Sequence, residues 1–246
     1  MKRASDVEEL LDGPLDDPAA LRGNLRDLAR INRWLGGAGL SARAIDALAS
    51  GRETLTVLDV GTGAADIPAA LLARAARDGR HLRVTAIDNR PEVLVAAVAR
   101  QPRLGLTPGL ELHVGDGRSL PFPDRSFDIA HASMLIHHLE PIAAVAVLGE
   151  MSRVARRGIV VNDLLRGRIA WLGAWLLSHL ATRNRYTRYD APLSVRRAYT
   201  VAELTSLIAA AGLRGQASTV SGFFRHRVVL TATAAPVDGQ RAGASA

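Results

Sequence analysis

The stretch Leu55 to Asp66 reads LTVLDVGTGAAD and decides the fold. Its first five residues, Leu55 to Asp59, are apolar or β-branched and end in an acid, which is typical of a fully buried parallel strand. Gly61 and Gly63 can take positive φ and let a ligand approach the backbone, and the alanine-rich run 64–76 predicts a helix. A strand, a glycine turn and a helix in this order offer free backbone N–H groups to a nucleotide-like ligand.

Acidic residues around this turn narrow the choice of ligand. A dehydrogenase fingerprint needs a third glycine three residues after Gly63, where Asp66 stands, and this carboxylate would repel a pyrophosphate. Asp59, at the strand end, suits a cationic group such as an ammonium. The stretch LDVGTGAADIP resembles motif I of the class I S-adenosylmethionine-dependent methyltransferases, with Ala65 in place of the usual third glycine.

The composition bounds the class of protein. A length of 246 residues with 48% hydrophobic content fits one α/β domain with extra helices. The absence of cysteine excludes disulfides, thiolate metal sites and cysteine nucleophiles. The net charge of +7 rests on scattered arginines, which predicts no nucleic-acid partner. No apolar run is long enough for an integral membrane span and no signal peptide is recognisable, so we expect a soluble, cytoplasmic protein.

Residues 1–50 predict an N-terminal helical cap. Apolar residues recur at helical spacing from Leu21 to Leu35, and Gly36 ends this helix. A second helix is expected from a cap at Ser41 up to Gly51. Two interpretations of these helices remain open, namely packing on the edge of the sheet and closure as a lid over the cofactor.

A second strand, His81 to Asp88, alternates in polarity and ends in another acid. Asp88 is well placed to accept both ribose hydroxyls of an adenosyl ligand, although the start of a helix at Pro91 also permits a capping role. A third strand, Leu110 to Gly117, ends in Gly-Asp-Gly. In the resembled family this acid binds the adenine amino group, which implies that role for Asp116.

The run SLPFPDRSFDIAHASMLIHHLEP, residues 119–141, contains a fourth strand, Phe127 to Ala132. The run resembles the methyltransferases of ubiquinone and menaquinone biosynthesis. Across the four motifs, the residues assigned to the cofactor S-adenosylmethionine are Asp59, Gly61, Thr62, Gly63, Asp66, Asp88, Asn89, Asp116, Gly117 and Ser133.

The two candidate catalytic residues, His137 and His138, follow the fourth strand. A histidine there can take a proton from a phenol or an acidic carbon, because its pKa is ordinarily near neutral. Adjacent residues do not face the same spot on a helix, so at most one is expected to be catalytic. The alternative is that one caps the next helix and the other packs against the sheet.

A fifth strand, 158–163, ends in Asn162 and Asp163. This pair invites comparison with the magnesium-dependent catechol methyltransferases, which need a further carboxylate where this chain has Ser133. No metal ion is therefore predicted.

The insertion 164–200 combines an apolar segment, IAWLGAWLLSHL, with a basic segment that holds all three tyrosines. Three interpretations compete: a core or dimer helix, an interfacial membrane helix, and the roof of a hydrophobic acceptor pocket. The apolar segment is too short to span a bilayer, and we favour the roof. The residues assigned to the acceptor are Trp175, Tyr186, Arg188 and Tyr189.

A capping box at Thr200 and Glu203 starts a last helix, 201–211, followed by a hairpin of strands 213–219 and 223–233. The predicted fold is a Rossmann-like, seven-stranded, doubly wound α/β sheet with a C-terminal antiparallel hairpin. The N-terminal cap spans 1–50, the methyltransferase domain with its insertion spans 51–234, and a disordered tail is expected over 235–246.

The resemblance implies an enzyme that transfers a methyl group from S-adenosylmethionine to a small, largely apolar acceptor, at a phenolic or quinone-like oxygen. Three alternatives remain: C-methylation of a quinone, isoprenoid or polyketide, a NAD-dependent oxidoreductase, and a non-catalytic cofactor-binding protein. The expected partner is the acceptor molecule, and a homodimer is possible.

Overall fold

The computed structural model describes residues 1–34, 36–49, 54–220 and 227–234. One sheet of seven strands runs in the order β3-β2-β1-β4-β5-β7-β6. The strands are β1 (Leu55–Val60), β2 (Leu82–Asp88), β3 (Leu110–Val114), β4 (Phe127–Ser133), β5 (Ala155–Leu164), β6 (Leu213–Val220) and β7 (Arg227–Ala234). β1 to β5 are parallel, and β7 is antiparallel to both β5 and β6. The predicted Rossmann-like fold with its C-terminal hairpin is confirmed.

Helices cover both faces of the sheet. They are α1 (Pro18–Trp34), α2 (Gly37–Leu48), α3 (Asp66–Arg77), α4 (Pro91–Arg100), α5 (Pro141–Val154), α6 (Arg168–Ala181), α7 (Arg185–Arg197) and α8 (Val201–Ala210). One core cluster joins the central strands to α5 and α8, and a second joins them to α2 and α3. No helix of the described ranges combines the length and the apolar character that crossing a bilayer requires.

Several boundaries differ from the sequence prediction for identifiable reasons. Ser41 lies inside α2 and does not cap it, because Gly36 takes a left-handed φ of 72° and lets the helix begin at Gly37. Ala65 also takes a positive φ, 51°, so α3 begins at Asp66 and not at residue 64. The capping box of Thr200 and Glu203 is confirmed. The predicted hairpin turn and the predicted disordered tail fall outside the described residues.

Candidate active site

The glycine turn after β1 is tied to the tip of β2. Thr62 donates its backbone N–H to the carbonyl of Ile87 at 2.9 Å. Gly63 donates its N–H to Asp88 Oδ2, also at 2.9 Å. Gly61 and Gly63 take φ values of 69° and 55°, which glycine adopts without strain. The turn is therefore fixed at the carboxyl edge of the sheet, where ligands of open α/β folds bind.

The backbone of this turn is open to a ligand on one side. A Cβ atom on Gly63 would meet no atom within 4 Å, so the backbone there is open to close approach. A Cβ on Gly61 would lie 2.8 Å from the Leu135 side chain, which places the segment after β4 directly beside the turn. The hydroxyls of Thr62 and Ser133 are buried and lack a hydrogen-bond partner among the described residues. Two unsatisfied polar groups at this edge are what a polar ligand would complete.

Asp88 keeps the strand-tip position that the sequence predicts. Its Oδ2 accepts from Gly63, and its Oδ1 accepts from the backbone of Arg90 at 3.0 Å. Burial raises the pKa of this carboxyl group above its ordinary value, although both hydrogen bonds oppose the rise. The neighbouring Asn89 is exposed.

Replacement of Asp88 by alanine is expected to weaken the binding of S-adenosylhomocysteine by about 1.5 to 3 kcal/mol. The variant loses the acceptor for the ribose hydroxyls and the anchor of the glycine turn, and charged hydrogen bonds are of that size. Calorimetric titration measures the change, with the exposed acid Glu111 replaced by alanine as the matched control. Unchanged affinity in the Asp88 variant would remove Asp88 from the cofactor site.

The other acids assigned to the cofactor already have protein partners. Asp66 Oδ2 accepts from the amide of Asn32 in α1 at 3.2 Å, and burial raises its pKa. The Arg118 side chain donates hydrogen bonds to both carboxylate oxygens of Asp116 and so lowers the pKa of Asp116. Gly117 leaves no room for a side chain, since a Cβ there would lie 2.8 Å from Val60. These assignments stay predictions.

Asp59 belongs to a buried polar chain beneath α2. His131 Nδ1 lies 2.5 Å from Asp59 Oδ1, and its Nε2 lies 2.8 Å from Ser41 Oγ. The amide of Asn162 donates to Ser41 Oγ at 2.9 Å and to the Gly37 carbonyl at 2.9 Å. The hydrogen bonds can thus run in one direction from Asn162 through Ser41 and His131 to the carboxylate, which only accepts. This series of hydrogen bonds ties α2 to the parallel strands β1, β4 and β5.

The histidine pair lies in a 3₁₀ turn, Ile136–His138, immediately after β4. His137 Nδ1 lies 2.5 Å from Asp163 Oδ1, and its backbone N–H donates to the second oxygen of Asp163 at 3.1 Å. His138 Nδ1 lies 2.8 Å from Asp12 Oδ1. The expectation that adjacent residues face different directions does not hold for this pair, because the 3₁₀ turn is tighter than an α-helix. The two rings lie side by side with centroids 4.3 Å apart.

Glu9 completes this cluster from the N-terminal end of the chain. Its Oε1 lies 3.9 Å from His137 Nε2 and its Oε2 lies 3.9 Å from His138 Nε2. Oε2 accepts from Ser194 at 2.7 Å, whereas Oε1 is buried without a hydrogen-bond partner in the described chain. Both imidazoles therefore have a carboxylate behind Nδ1 and a second carboxylate near Nε2.

Glu9, His137 and His138 are also the residues that could hold a metal ion, since their ligand atoms lie within 4.8 Å of one another. The same three groups could also exchange protons, because imidazole and carboxylate side chains both titrate.

Excess negative charge surrounds the pair. Burial alone would lower the pKa of His138, but the charges of Glu9, Asp12 and Asp163 raise it to about 9. Asp190 accepts from the backbone of Leu10 and Leu11, and burial raises its pKa to about 7. His138 therefore carries its proton at neutral pH.

The proton held by His138 makes the free energy of unfolding depend on pH. The folded protein binds it more tightly than the unfolded chain, so the stabilisation is complete below pH 6.5 and is lost as the pH rises through about 9. The free energy of unfolding of the wild type should fall across this window relative to that of His138→Gln. Urea denaturation of both proteins below, within and above the window measures the difference. A difference that does not change with pH would contradict the raised pKa.

The N-terminal strap, residues 3–13, crosses this edge of the sheet. Asp12 contacts His138, and the guanidinium of Arg90 donates to the carbonyls of Asp12 at 3.2 Å and Gly13 at 3.1 Å. At its other end, Arg3 donates to the carbonyls of Leu139 and Arg197 at 2.8 Å each. The strap thus joins the tip of β2 to the histidine turn and to α7.

The four residues assigned to the acceptor have different surroundings, and their assignment stays a prediction. Trp175 is 41% exposed on α6 and stacks on His179. Tyr186 is buried in the cluster between α1 and α4, and Tyr189 is 48% exposed. Arg188 donates to the carbonyls of Thr182 and His179 at the end of α6.

Sequence reasoning missed several residues of the site. The sequence pattern indicates Asp163 only as a possible metal ligand, although an acid at the tip of β5 and a histidine just after β4 lie on adjacent parallel strands. Glu9 and Asp12 carry no local signal, because they meet the histidines across 126 residues or more of chain. His131 carries no local signal either, because its contact with Asp59 joins residues that lie 72 positions apart in the chain.

Comparison with known proteins agrees with this geometry. Residues 57–158 match the family described as "Methyltransferase domain". A stretch of 87 residues is 39% identical to the phosphatidylethanolamine N-methyltransferase of Cereibacter sphaeroides, and covers 34% of this chain and 41% of that protein. A stretch of 72 residues is 36% identical to the ubiquinone/menaquinone biosynthesis C-methyltransferase UbiE of Rickettsia bellii, and covers 29% of each chain. The match spans less than half the length of either relative.

Solved structures show the same fold. A methyltransferase from Aquifex aeolicus described as SAM-dependent superposes with a TM-score of 0.60 at 22% identity, over 88% of this chain and 97% of that one. The O-methyltransferase NcsB1 from neocarzinostatin biosynthesis superposes with a TM-score of 0.59 at 22% identity, over 89% of this chain and 59% of that one. Residues 57–158 therefore belong to a methyltransferase domain, and the described chain has the fold of S-adenosylmethionine-dependent methyltransferases.

Proposed function

We propose that this protein transfers the methyl group of S-adenosylmethionine to a phenolic or quinone-like oxygen of a small, largely apolar acceptor. The observation that carries the proposal is the pair of His137 and Asp163, 2.5 Å apart, beside the glycine turn. A histidine with a carboxylate behind Nδ1 is built to accept a proton at Nε2, and an oxygen nucleophile has a proton to lose.

The glycine turn and the strand tips hold the cofactor in this proposal. Asp88 accepts from the ribose hydroxyls, Asp116 binds the adenine amino group, and Asp59 with Asp66 attracts the ammonium. When bound, the cofactor supplies a methyl group activated by its sulfonium. The chain contributes alignment of the acceptor oxygen with that methyl group and exclusion of water.

The two histidines take different roles. His138 has a pKa of about 9 and is already protonated at neutral pH, so it is not the base. His137 takes the proton at Nε2, while Asp163 keeps its Nδ1–H in place and stabilises the imidazolium that forms. The carboxylate of Asp163 is suited to this role, because hydrogen bonds from the His137 ring and from the backbone of His137 and Leu164 keep its pKa below the ordinary value in spite of burial.

Water is kept from this centre by the N-terminal strap. His137 is 1% exposed, and Glu9 covers its Nε2 from the strap. An acceptor hydroxyl can lie beside the gap of 3.9 Å between Glu9 Oε1 and His137 Nε2, within hydrogen-bond distance of both. Entry of the acceptor then requires the strap to move aside.

Two similar solved structures support a small acceptor, whereas the two named relatives differ in the atom that is methylated, nitrogen in one and carbon in the other. NcsB1 was solved with 1,4-dihydroxy-2-naphthoic acid, and an O-methyltransferase of Planctomyces limnophilus was solved with apigenin. UbiE is named a C-methyltransferase. Transfer to carbon is therefore the second candidate, since His137 would serve equally to remove a proton from an acidic carbon.

Incubation with S-adenosylmethionine labelled with ¹³C in the methyl group tests the proposal. The acceptors are 1,4-dihydroxy-2-naphthoic acid, apigenin and a short-chain hydroquinone, with phosphatidylethanolamine vesicles as a non-phenolic comparison. The ¹³C chemical shift of the product separates O-methyl, C-methyl and N-methyl groups. A labelled O-methyl group on a phenol supports the proposal, and label only on carbon or nitrogen would contradict it.

A further inference from the structure

The helix α6 presents an apolar face that no described part of the chain covers. Its inward side packs Ala170, Trp171 and Ala174 near Met134 and α7. Five large apolar side chains lie on the outside, with Leu180 83% and Ile169 68% exposed. These exposed residues are Ile169, Leu172, Trp175, Leu176 and Leu180. Four of them recur at spacings of three or four residues and therefore form one stripe along the helix.

The charged residues of the sequence segment that carries this stripe are all basic. Residues 164–189 contain five arginines and neither aspartate nor glutamate. Arg166 pairs with Glu203, and Arg185 lies 3.7 Å from Asp17. Arg168, at the first position of α6, and Arg183, just beyond its end, are exposed and form no ion pair with the described residues.

We propose that α6 docks on the surface of an anionic lipid bilayer. An apolar stripe containing a tryptophan and flanked by free arginines is the pattern of a helix that lies in the membrane interface. The stripe would enter the acyl boundary, and Arg168 and Arg183 would contact the anionic headgroups. A helix of 14 residues lies along this interface and does not cross it.

A second copy of the chain fits this face less well. Antiparallel pairing of α6 with itself across a two-fold axis would bring Arg168 of one copy near Arg183 of the other. The segment has no acidic residue to offset that repulsion. An anionic bilayer neutralises both arginines and also covers the apolar stripe.

Docking through α6 also indicates the chemical class of the methyl acceptor, and this conclusion rests on the proposed function. The inward side of α6 contacts Met134, which lies three residues before His137. One helix therefore has the bilayer on one side and the candidate active site on the other. The acceptor that this arrangement serves is a lipid-soluble phenol or quinol dissolved in the bilayer.

Co-sedimentation with lipid vesicles tests the docking without any need for methyl transfer. The wild type should bind vesicles of phosphatidylcholine mixed with phosphatidylglycerol, and bind vesicles of phosphatidylcholine alone more weakly. The double variant Leu172→Glu/Leu176→Glu should lose roughly a hundredfold or more in vesicle affinity, because two exposed leucines can then no longer enter the acyl boundary. Arg168→Ala/Arg183→Ala should lose roughly tenfold or more, and only on the anionic vesicles.

Leu106→Glu is the matched control, since Leu106 is 80% exposed in a turn that belongs to neither α6 nor the site. It should bind vesicles as the wild type does. All variants should keep the wild-type affinity for S-adenosylhomocysteine, which separates a failure of docking from a failure of the proposed function or of folding.

Three results would overturn the docking proposal. They are no binding of the wild type to anionic vesicles, binding that the double leucine variant retains, and a wild-type dimer that this variant dissociates in ultracentrifugation without any vesicle binding. Quenching of tryptophan fluorescence by brominated acyl chains, reduced in Trp175→Phe, would place the stripe inside the bilayer directly.

Discussion

Replacing His137 by asparagine is expected to lower kcat by roughly a hundredfold or more while S-adenosylhomocysteine binds as before. The imidazole of His137 is the group that accepts the proton in our account, and asparagine cannot accept one at neutral pH. Its Nδ1 is held by Asp163 and not by any residue of the glycine turn, so the cofactor site should be unaffected. Single-turnover rates with saturating cofactor measure the loss.

Two further variants separate catalysis from simple positioning. Asp163→Asn should lower kcat strongly as well, because an amide can hold the ring in the wrong tautomer and cannot stabilise the imidazolium. His138→Gln should affect kcat less, since His138 is protonated before the reaction begins. Near-normal turnover of both His137→Asn and Asp163→Asn would show that alignment alone accelerates the transfer.

Replacing His131 by leucine is expected to cost about 3 to 5 kcal/mol of unfolding free energy. His131 is fully buried, and its loss would leave the Asp59 carboxylate, 3% exposed, without its hydrogen-bonded partner. Denaturant unfolding measures the change. The exposed His113 of β3, replaced by leucine, is the matched control and should cost little, because its contact with Glu111 lies at the surface.

A double variant tests the reason for this cost. Asp59→Leu/His131→Leu removes both polar partners and should be less destabilised than His131→Leu alone. Equal destabilisation of the two proteins would mean that lost packing, and not an unpaired carboxylate, dominates. The double variant also tests whether Asp59 attracts the ammonium of the cofactor, since its affinity for S-adenosylhomocysteine would then fall.

Local patterns explain why the sheet could be predicted from the sequence. Each main feature of the sheet is visible in a few consecutive residues: the β-branched run from Leu55, the glycines that take positive φ, and the acid at Asp88. The capping box at Thr200 is likewise local. Such features depend on neighbours along the chain and survive without tertiary information.

The chemistry at the histidine turn could not be predicted in the same way. Glu9 and Asp12 come from a strap with no periodic pattern, and only the folded chain brings them to His138. The apolar composition of α6 predicts a helix, but the side that packs depends on α7 and Met134. The neighbours of Tyr186, Arg188 and Tyr189 could not be predicted for that reason, because α7 presents the three side chains to different surroundings.

The central claim is that the glycine turn, Asp66 and Asp88 bind an adenosylmethionine and not a dinucleotide. Calorimetric titration of the purified protein with S-adenosylhomocysteine and with NAD tests it most directly. We predict saturable binding of S-adenosylhomocysteine that Asp88→Ala weakens, and no heat of binding with NAD. Saturable binding of NAD together with no binding of S-adenosylhomocysteine would contradict the account.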